Sequence, residues 1–112
     1  MEIEDQLAGE TEAPERHMLN MVVTQRVNAG MEKEFEALAK QMAANTVAQD
    51  KGCLRYEWYR AETPQTYILI ESWTDMAAVE AHLKADHFVA LWPKLTACVP
   101  EKFSAVRMTP ID

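Results

Sequence analysis

The spacing of apolar residues changes its period twice before residue 60, and this switching limits the folds open to the chain more than any other feature. Over 18–27 β-branched residues are enriched and partly alternate with polar ones, and Asn28-Ala29-Gly30 then supplies a turn, which predicts a first strand. After Gly30 the apolar residues Met31, Phe35, Leu38, Met42 and Val47 recur at helical spacing, with Glu32, Lys33, Glu36 and Lys40 on the other face. A helix is therefore expected to about Gln49, stopped by Asp50-Lys51-Gly52. From Cys53 to Arg60 the period returns to two, with Leu54, Tyr56 and Trp58 on one face and Arg55, Glu57 and Tyr59 on the other, as in a half-buried strand.

Glu62-Thr63-Pro64-Gln65 turns the chain, and the next stretch, Thr66 to Trp73, is apolar on both faces through most of its length. Such a strand needs a layer packed on each side, one formed by the helices and the other by a partner's sheet. Thr74 or Asp75 can cap a second helix, with Met76, Val79 and Leu83 along one face and His82 beside that face. Asp86 begins a further helical piece carrying Phe88, Leu91, Trp92 and Leu95, in which Pro93 must produce a kink or a new turn. Lys102 to Met108 closes as a fourth strand. The order β-α-β-β-α-β is that of a ferredoxin-like α+β fold, a four-stranded antiparallel sheet with both helices on one face. That architecture hosts many unrelated activities, so the chemistry has to be read from residues.

With 112 residues the chain has room for one core, small enough that an additional buried interface would help it, so a homodimer is expected. The domain is taken as 18–112; residues 1–17 are rich in Glu and lack a sustained period, which predicts a disordered tail or, alternatively, an arm packing through Ile3 and Leu7. A net charge of -7, with no two basic residues in succession, offers nothing to phosphate backbones or anionic lipid, so neither nucleic acid nor a membrane is an expected partner. The acidic start is the reverse of a cationic leader, and Cys53 and Cys98 form neither a disulfide framework nor a CxxC motif, which points to a reduced, cytoplasmic protein.

Four segments carry a resemblance: Asn28-Ala29-Gly30 before a helix, Gly52 to Tyr56, Glu71-Ser72-Trp73, and Ala81-His82 followed by His87-Phe88. In order and interval they resemble the antibiotic-biosynthesis monooxygenase family. The resemblance implies a dimeric α+β barrel in which two sheets pack face to face, with a pocket in each subunit between sheet and helices. It also implies oxidation of a quinol or related phenolic compound by dioxygen with no flavin, haem or metal, although related domains degrade haem or act on small signalling aldehydes. Positions that serve the haem-degrading branch fall here at Val23, His82 and Trp92, where Val23 lacks a polar contact and Trp92 offers no imidazole.

Nucleotide-binding, zinc-hydrolase and serine-hydrolase motifs do not occur in the sequence, and a cofactor-free oxygenase is compatible with that. A quinol, once deprotonated, can itself give an electron to dioxygen, so the protein has to supply a base, a dry pocket and positioning. His82 is the candidate base, since a neutral imidazole accepts a proton near neutral pH; a hydrogen-bonded histidine at a helix edge is the competing reading. His87, following Asp86 at a helix start, is expected to be exposed or capping. Tyr56, Trp58 and Trp73 suit either an aromatic pocket or ordinary core packing, and Phe88, Leu91 and Trp92 suit either a lid or core. Glu71 shares a strand face with Trp73 and, if buried, must be paired, for which orienting His82 is one use. The expected set is thus His82 as catalytic base, with Tyr56, Trp58, Glu71, Trp73, Phe88 and Trp92 binding a small aromatic substrate, and no metal ligands. A non-catalytic binding module for an aromatic metabolite, or a cofactor-free enzyme moving protons on a small carbonyl compound, would use the same pocket.

Overall fold

The computed structural model describes residues 18–101 and 103–111. The expectation of a disordered or arm-like tail over 1–17 lies outside the described residues. The elements run β1 (Leu19–Arg26), α1 (Glu32–Gln49), β2 (Cys53–Arg60), β3 (Thr66–Trp73), α2 (Met76–Lys84), α3 (Asp86–Thr96) and β4 (Ser104–Met108). All strand pairs are antiparallel in the order β2-β3-β1-β4, and the helices cover one face of the sheet, which is the ferredoxin-like arrangement. The second helical region is two helices: Ala85, with φ -67 and ψ 146, is extended between them.

Strand register lines up the inner face in rows. Tyr56, Glu71, Met21 and Arg107 form one row across β2, β3, β1 and β4, and Trp58, Leu69, Val23 and Ala105 form the next. Trp73, Leu19, Leu69, Val23 and Tyr67 are buried here against Phe35, Ala39 and Met42 of α1 and Leu91 and Leu95 of α3. The stripe that α1 buries is Phe35, Ala39, Met42 and Thr46, a helical succession that leaves Val47 about one position off it and 66% exposed, against the expectation that Val47 faces the core. Glu36 is not simply solvated either, for it accepts from the Tyr67 hydroxyl at 2.6 Å and pairs with Arg60 through both oxygens. Arg60 and then Tyr67 hold its carboxyl down at about 2.

Leu54 also departs from its expected face. Cys53 lies opposite Trp73 and Arg55 opposite Ser72, so Leu54 is the extra residue of a β-bulge, which flips its side chain out to 54% exposure while Tyr56 and Trp58 stay inward. In α2, Asp75 rather than Thr74 is the cap, accepting from the Ala78 N–H at 2.9 Å, and the buried face is Ala78, Val79 and His82 with Leu83 at its edge. Pro93 is accommodated without ending α3, because the carbonyl that loses its partner belongs to the exposed Val89, where water can reach it.

Two glycines take left-handed backbone, Gly30 at φ 92 and Gly52 at φ 84, but they differ in surroundings. A Cβ on Gly52 would lie 2.6 Å from both the Ala78 Cβ and the Thr74 Oγ1, and the Gly52 carbonyl accepts from the Thr74 N–H. The turn after α1 is thereby pressed onto the start of α2. Gly52→Ala should cost roughly 2–4 kcal/mol, combining backbone strain with overpacking, whereas Gly30→Ala should cost only about 1 kcal/mol. Urea unfolding of both variants checks this, and equal losses would contradict the packing account.

Candidate functional site

A cavity of about 130 Å³ lies between the inner sheet face and helices α2 and α3. Met21, Tyr56 and Glu71 of one sheet row and Val23, Leu69 and Ala105 of the next form its floor. Val79, His82 and Leu83 of α2, Phe88 and Trp92 of α3, and Phe103 before β4 form its walls. Phe88 and Trp92 are one helical turn apart, which stacks their rings at 5.3 Å with 15° between planes, and Phe103 meets Trp92 edge-on at 5.5 Å.

Of the residues expected from sequence, Tyr56, Glu71, His82, Phe88 and Trp92 converge on this cavity, and Trp58 and Trp73 do not line it. Trp58 packs edge-on against Phe35 at 5.4 Å and borders a separate groove with Glu36, Arg60 and Tyr67. Trp58 stands one inner-face step beyond Tyr56. At that step on the edge strand β2 it lies against Phe35 of α1, while Leu69, Val23 and Ala105 of the same row, on β3, β1 and β4, reach the cavity. Trp73 is fully buried behind the site, with its ring 4.7 Å from that of His82, and its indole N–H donates to Glu71 Oε1 at 2.7 Å. Glu71 therefore spends its bond on Trp73 and does not orient His82.

That role falls to Asp50, which in the sequence reads only as part of a helix stop. His82, 3% exposed, holds its Nδ1 2.6 Å from Asp50 Oδ2, and His87 Nε2 lies 3.0 Å from the same oxygen. An ionised carboxylate only accepts, so both ring nitrogens carry the proton and donate to it. The neutral His82 is thereby fixed in the tautomer whose bare nitrogen is Nε2, on a ring that forms part of the cavity wall. His87 is neither exposed nor a cap: its side chain is 7% exposed and turned inward to Asp50. No local motif carries this cluster, because the bonded residues stand 32 and 37 positions apart. Asp50 is brought in by the Gly52 turn, its own N–H bonded to the Thr46 carbonyl.

Burial sets the protonation preferences. It lowers the His82 pKa, a shift that the Asp50 hydrogen bond and charge partly oppose, so the imidazole stays neutral into mildly acidic solution. It raises Glu71 against the pull of the Trp73 bond, and it raises Tyr56, which the Glu71 charge pushes in the same direction, so Tyr56 remains a phenol donor. The site thus combines one oriented neutral base, one hydroxyl, one carboxyl and flat apolar walls. It can take a proton from a planar aromatic compound in a largely dry setting.

A family model described as antibiotic biosynthesis monooxygenase matches residues 18–92. Among solved structures, the chain is similar to a protein of Caulobacter crescentus provisionally named an antibiotic biosynthesis monooxygenase, with 25% identity, a TM-score of 0.80, and coverage of 86% of this chain and 92% of that one. It is also similar in fold to a conserved protein of Methanosarcina mazei, at 24% identity and TM-score 0.79, covering 86% of this chain and 95% of that one. A Bacteroides thetaiotaomicron protein, again provisionally named an antibiotic biosynthesis monooxygenase, gives a TM-score of 0.81 at 16% identity, over 88% of this chain and 93% of that one. No curated protein matches the chain.

Because the folded pKa of His82 lies below its unfolded value, the unfolded chain binds the extra proton first as the solution is acidified. The stability associated with neutral His82 is present above about pH 6.5 and is lost as pH falls through the folded value. In metal-free protein, NMR titration of the His82 ring should give a midpoint below about 6.5, and Asp50→Asn should move it lower still by removing the carboxylate that opposes the shift. A midpoint unmoved or raised in Asp50→Asn would contradict the role given to Asp50.

Proposed function

The chain belongs to the antibiotic biosynthesis monooxygenase family, and from that membership we propose that it is a cofactor-independent monooxygenase oxidising a hydroquinone or related aromatic polyphenol with dioxygen. The observation that carries the reading is His82, oriented through Nδ1 by buried Asp50, in the wall of a cavity lined by aromatic rings. His82 Nε2 takes a phenolic proton, and the resulting anion gives an electron to dioxygen. The two radicals combine to form a carbon–oxygen bond, the peroxide takes a proton back from His82, and loss of water leaves a carbonyl. In balance, one hydroquinone and one dioxygen give one hydroxylated quinone and one water.

Phe88 and Trp92 offer faces for a planar ring, Tyr56 a hydroxyl to orient a substrate oxygen, and Glu71 a carboxyl held in place by the Trp73 indole. Burial of these groups keeps water from competing for the anion. Working as a homodimer agrees with the sheet face away from the helices, where Val22, Ile68 and Ile70 are only half buried and Val106 is 56% exposed. Unpaired Cys53 and Cys98 agree with a reducing compartment such as the cytoplasm. No helix among the described residues is long and apolar enough to cross a membrane.

The test is oxygen uptake by chelator-treated protein with a panel of hydroquinones and naphthohydroquinones, corrected for autoxidation. His82→Ala should lower kcat/KM about 10²–10⁴-fold with the fold intact, the range for loss of a positioned base. Uptake at the parent rate in that variant would remove His82 from the chemistry. Ligand binding without uptake across the panel would favour the binding module, and a product of unchanged mass would favour proton transfer alone.

A further inference from the structure

Asp50, His82 and His87 also have the composition of a metal site. We infer that Asp50 Oδ2, His82 Nδ1 and His87 Nε2 bind a late first-row divalent cation, zinc above all, and that the ion switches His82 off as a base. The second half rests on the reading of His82 given above; the first does not.

The three donor atoms lie within 4.8 Å of one another, and two imidazoles with one carboxylate are a donor set suited to zinc, cobalt or nickel. They come from separate elements: the C-cap of α1, the last turns of α2 and the first turn of α3. On an unbroken helix, residues five apart would point about 140° away from each other and could not share an ion. The extended backbone at Ala85 breaks the helix between His82 and His87 and brings their ring centroids to 6.0 Å. The side chains of Asp50, His82 and His87 are only 8%, 4% and 7% exposed, so the donors are held by packing and already largely dehydrated.

At present the carboxylate oxygen sits 2.6 Å from His82 Nδ1 and 3.0 Å from His87 Nε2. A tetrahedral ion with bonds of about 2.0–2.2 Å separates its donors by about 3.3 Å, so the carboxylate has to withdraw by less than about 1 Å while the two rings close. The second Asp50 oxygen or water completes the coordination. The chain's formal charge of -7 favours cation approach.

Coordination at His82 Nδ1 does not expel the ring proton; it moves it to Nε2. The imidazole in the cavity wall then donates and cannot accept a proton from a phenol. Ion and substrate deprotonation therefore exclude each other without the ion entering the cavity.

The full chain, freed of metal with a chelator, is titrated with Zn²⁺ by calorimetry and with Co²⁺ by its visible absorption. The expected result is one ion per chain with Kd in the micromolar range or tighter, weakened about tenfold or more by His87→Ala and by His87→Gln, with circular dichroism showing both variants folded. Absence of saturable binding below about 1 mM, or binding that survives both substitutions unchanged, would overturn the site. Zinc should also inhibit oxygen uptake at the concentrations at which it binds, and His87→Gln should need about tenfold more. Stoichiometric binding with undiminished uptake would overturn the switch and the base assignment together while leaving the metal site standing. Uptake that depends on His82 in a protein that binds no zinc would overturn the site alone.

Discussion

The hydrogen bond between Asp50 and His82 is the contact on which the rest of the site depends. Both partners are nearly excluded from water, so neither can exchange the other for solvent, and removing one would leave a buried polar or charged group at a cost of several kcal/mol. The bond ties the end of α1 to α2, and through His87 to the start of α3. It also fixes which nitrogen of His82 is bare, and that single choice decides whether the residue can accept a proton. Its geometry is secured by backbone, because Gly52 lets the turn after α1 lie against α2 closely enough that a Cβ would collide with Ala78.

The sheet does the complementary work. Antiparallel register sets Tyr56 and Glu71 side by side with Met21 as a floor, and α2 and α3 lay His82, Phe88 and Trp92 above it. The buried layer behind them is equally specific: Trp73 supports the His82 ring and donates to Glu71, so the carboxyl is oriented although burial disfavours its charge. Neutral imidazole, neutral phenol and a carboxyl whose charge burial disfavours form a low-charge cavity, in which a developing phenolate would face the His82 ring that has taken its proton.

Much of the fold is legible in the sequence because it is written in local periods. The switch from period two to helical spacing at Gly30 and back at Gly52 predicts β1, α1 and β2 closely, and the later turn and capping signals carry the order on from there. What escapes is whatever depends on neighbours. Leu54 leaves its face because a bulge inserts a residue, and Val47 leaves the core because α1 meets the sheet along Phe35, Ala39, Met42 and Thr46. In the site, His82 and the aromatic wall of Phe88 and Trp92 can be anticipated, but parity cannot tell that Trp58, on the edge strand, packs onto Phe35 of α1 or that Trp73 packs behind the histidine rather than in front of it. Asp50 and His87 read as a helix stop and a helix start, and only the tertiary fold brings them together.

The central claim, that Asp50 acts through His82 to make it a base, is tested most directly by a double-mutant cycle on oxygen uptake with Asp50→Asn and His82→Ala. The account predicts that each substitution slows uptake and that the double variant is no slower than His82→Ala alone, since Asp50 has nothing to orient once the imidazole is gone. Losses that multiply in the double variant would contradict it, because they would mean that the two residues act on the reaction independently.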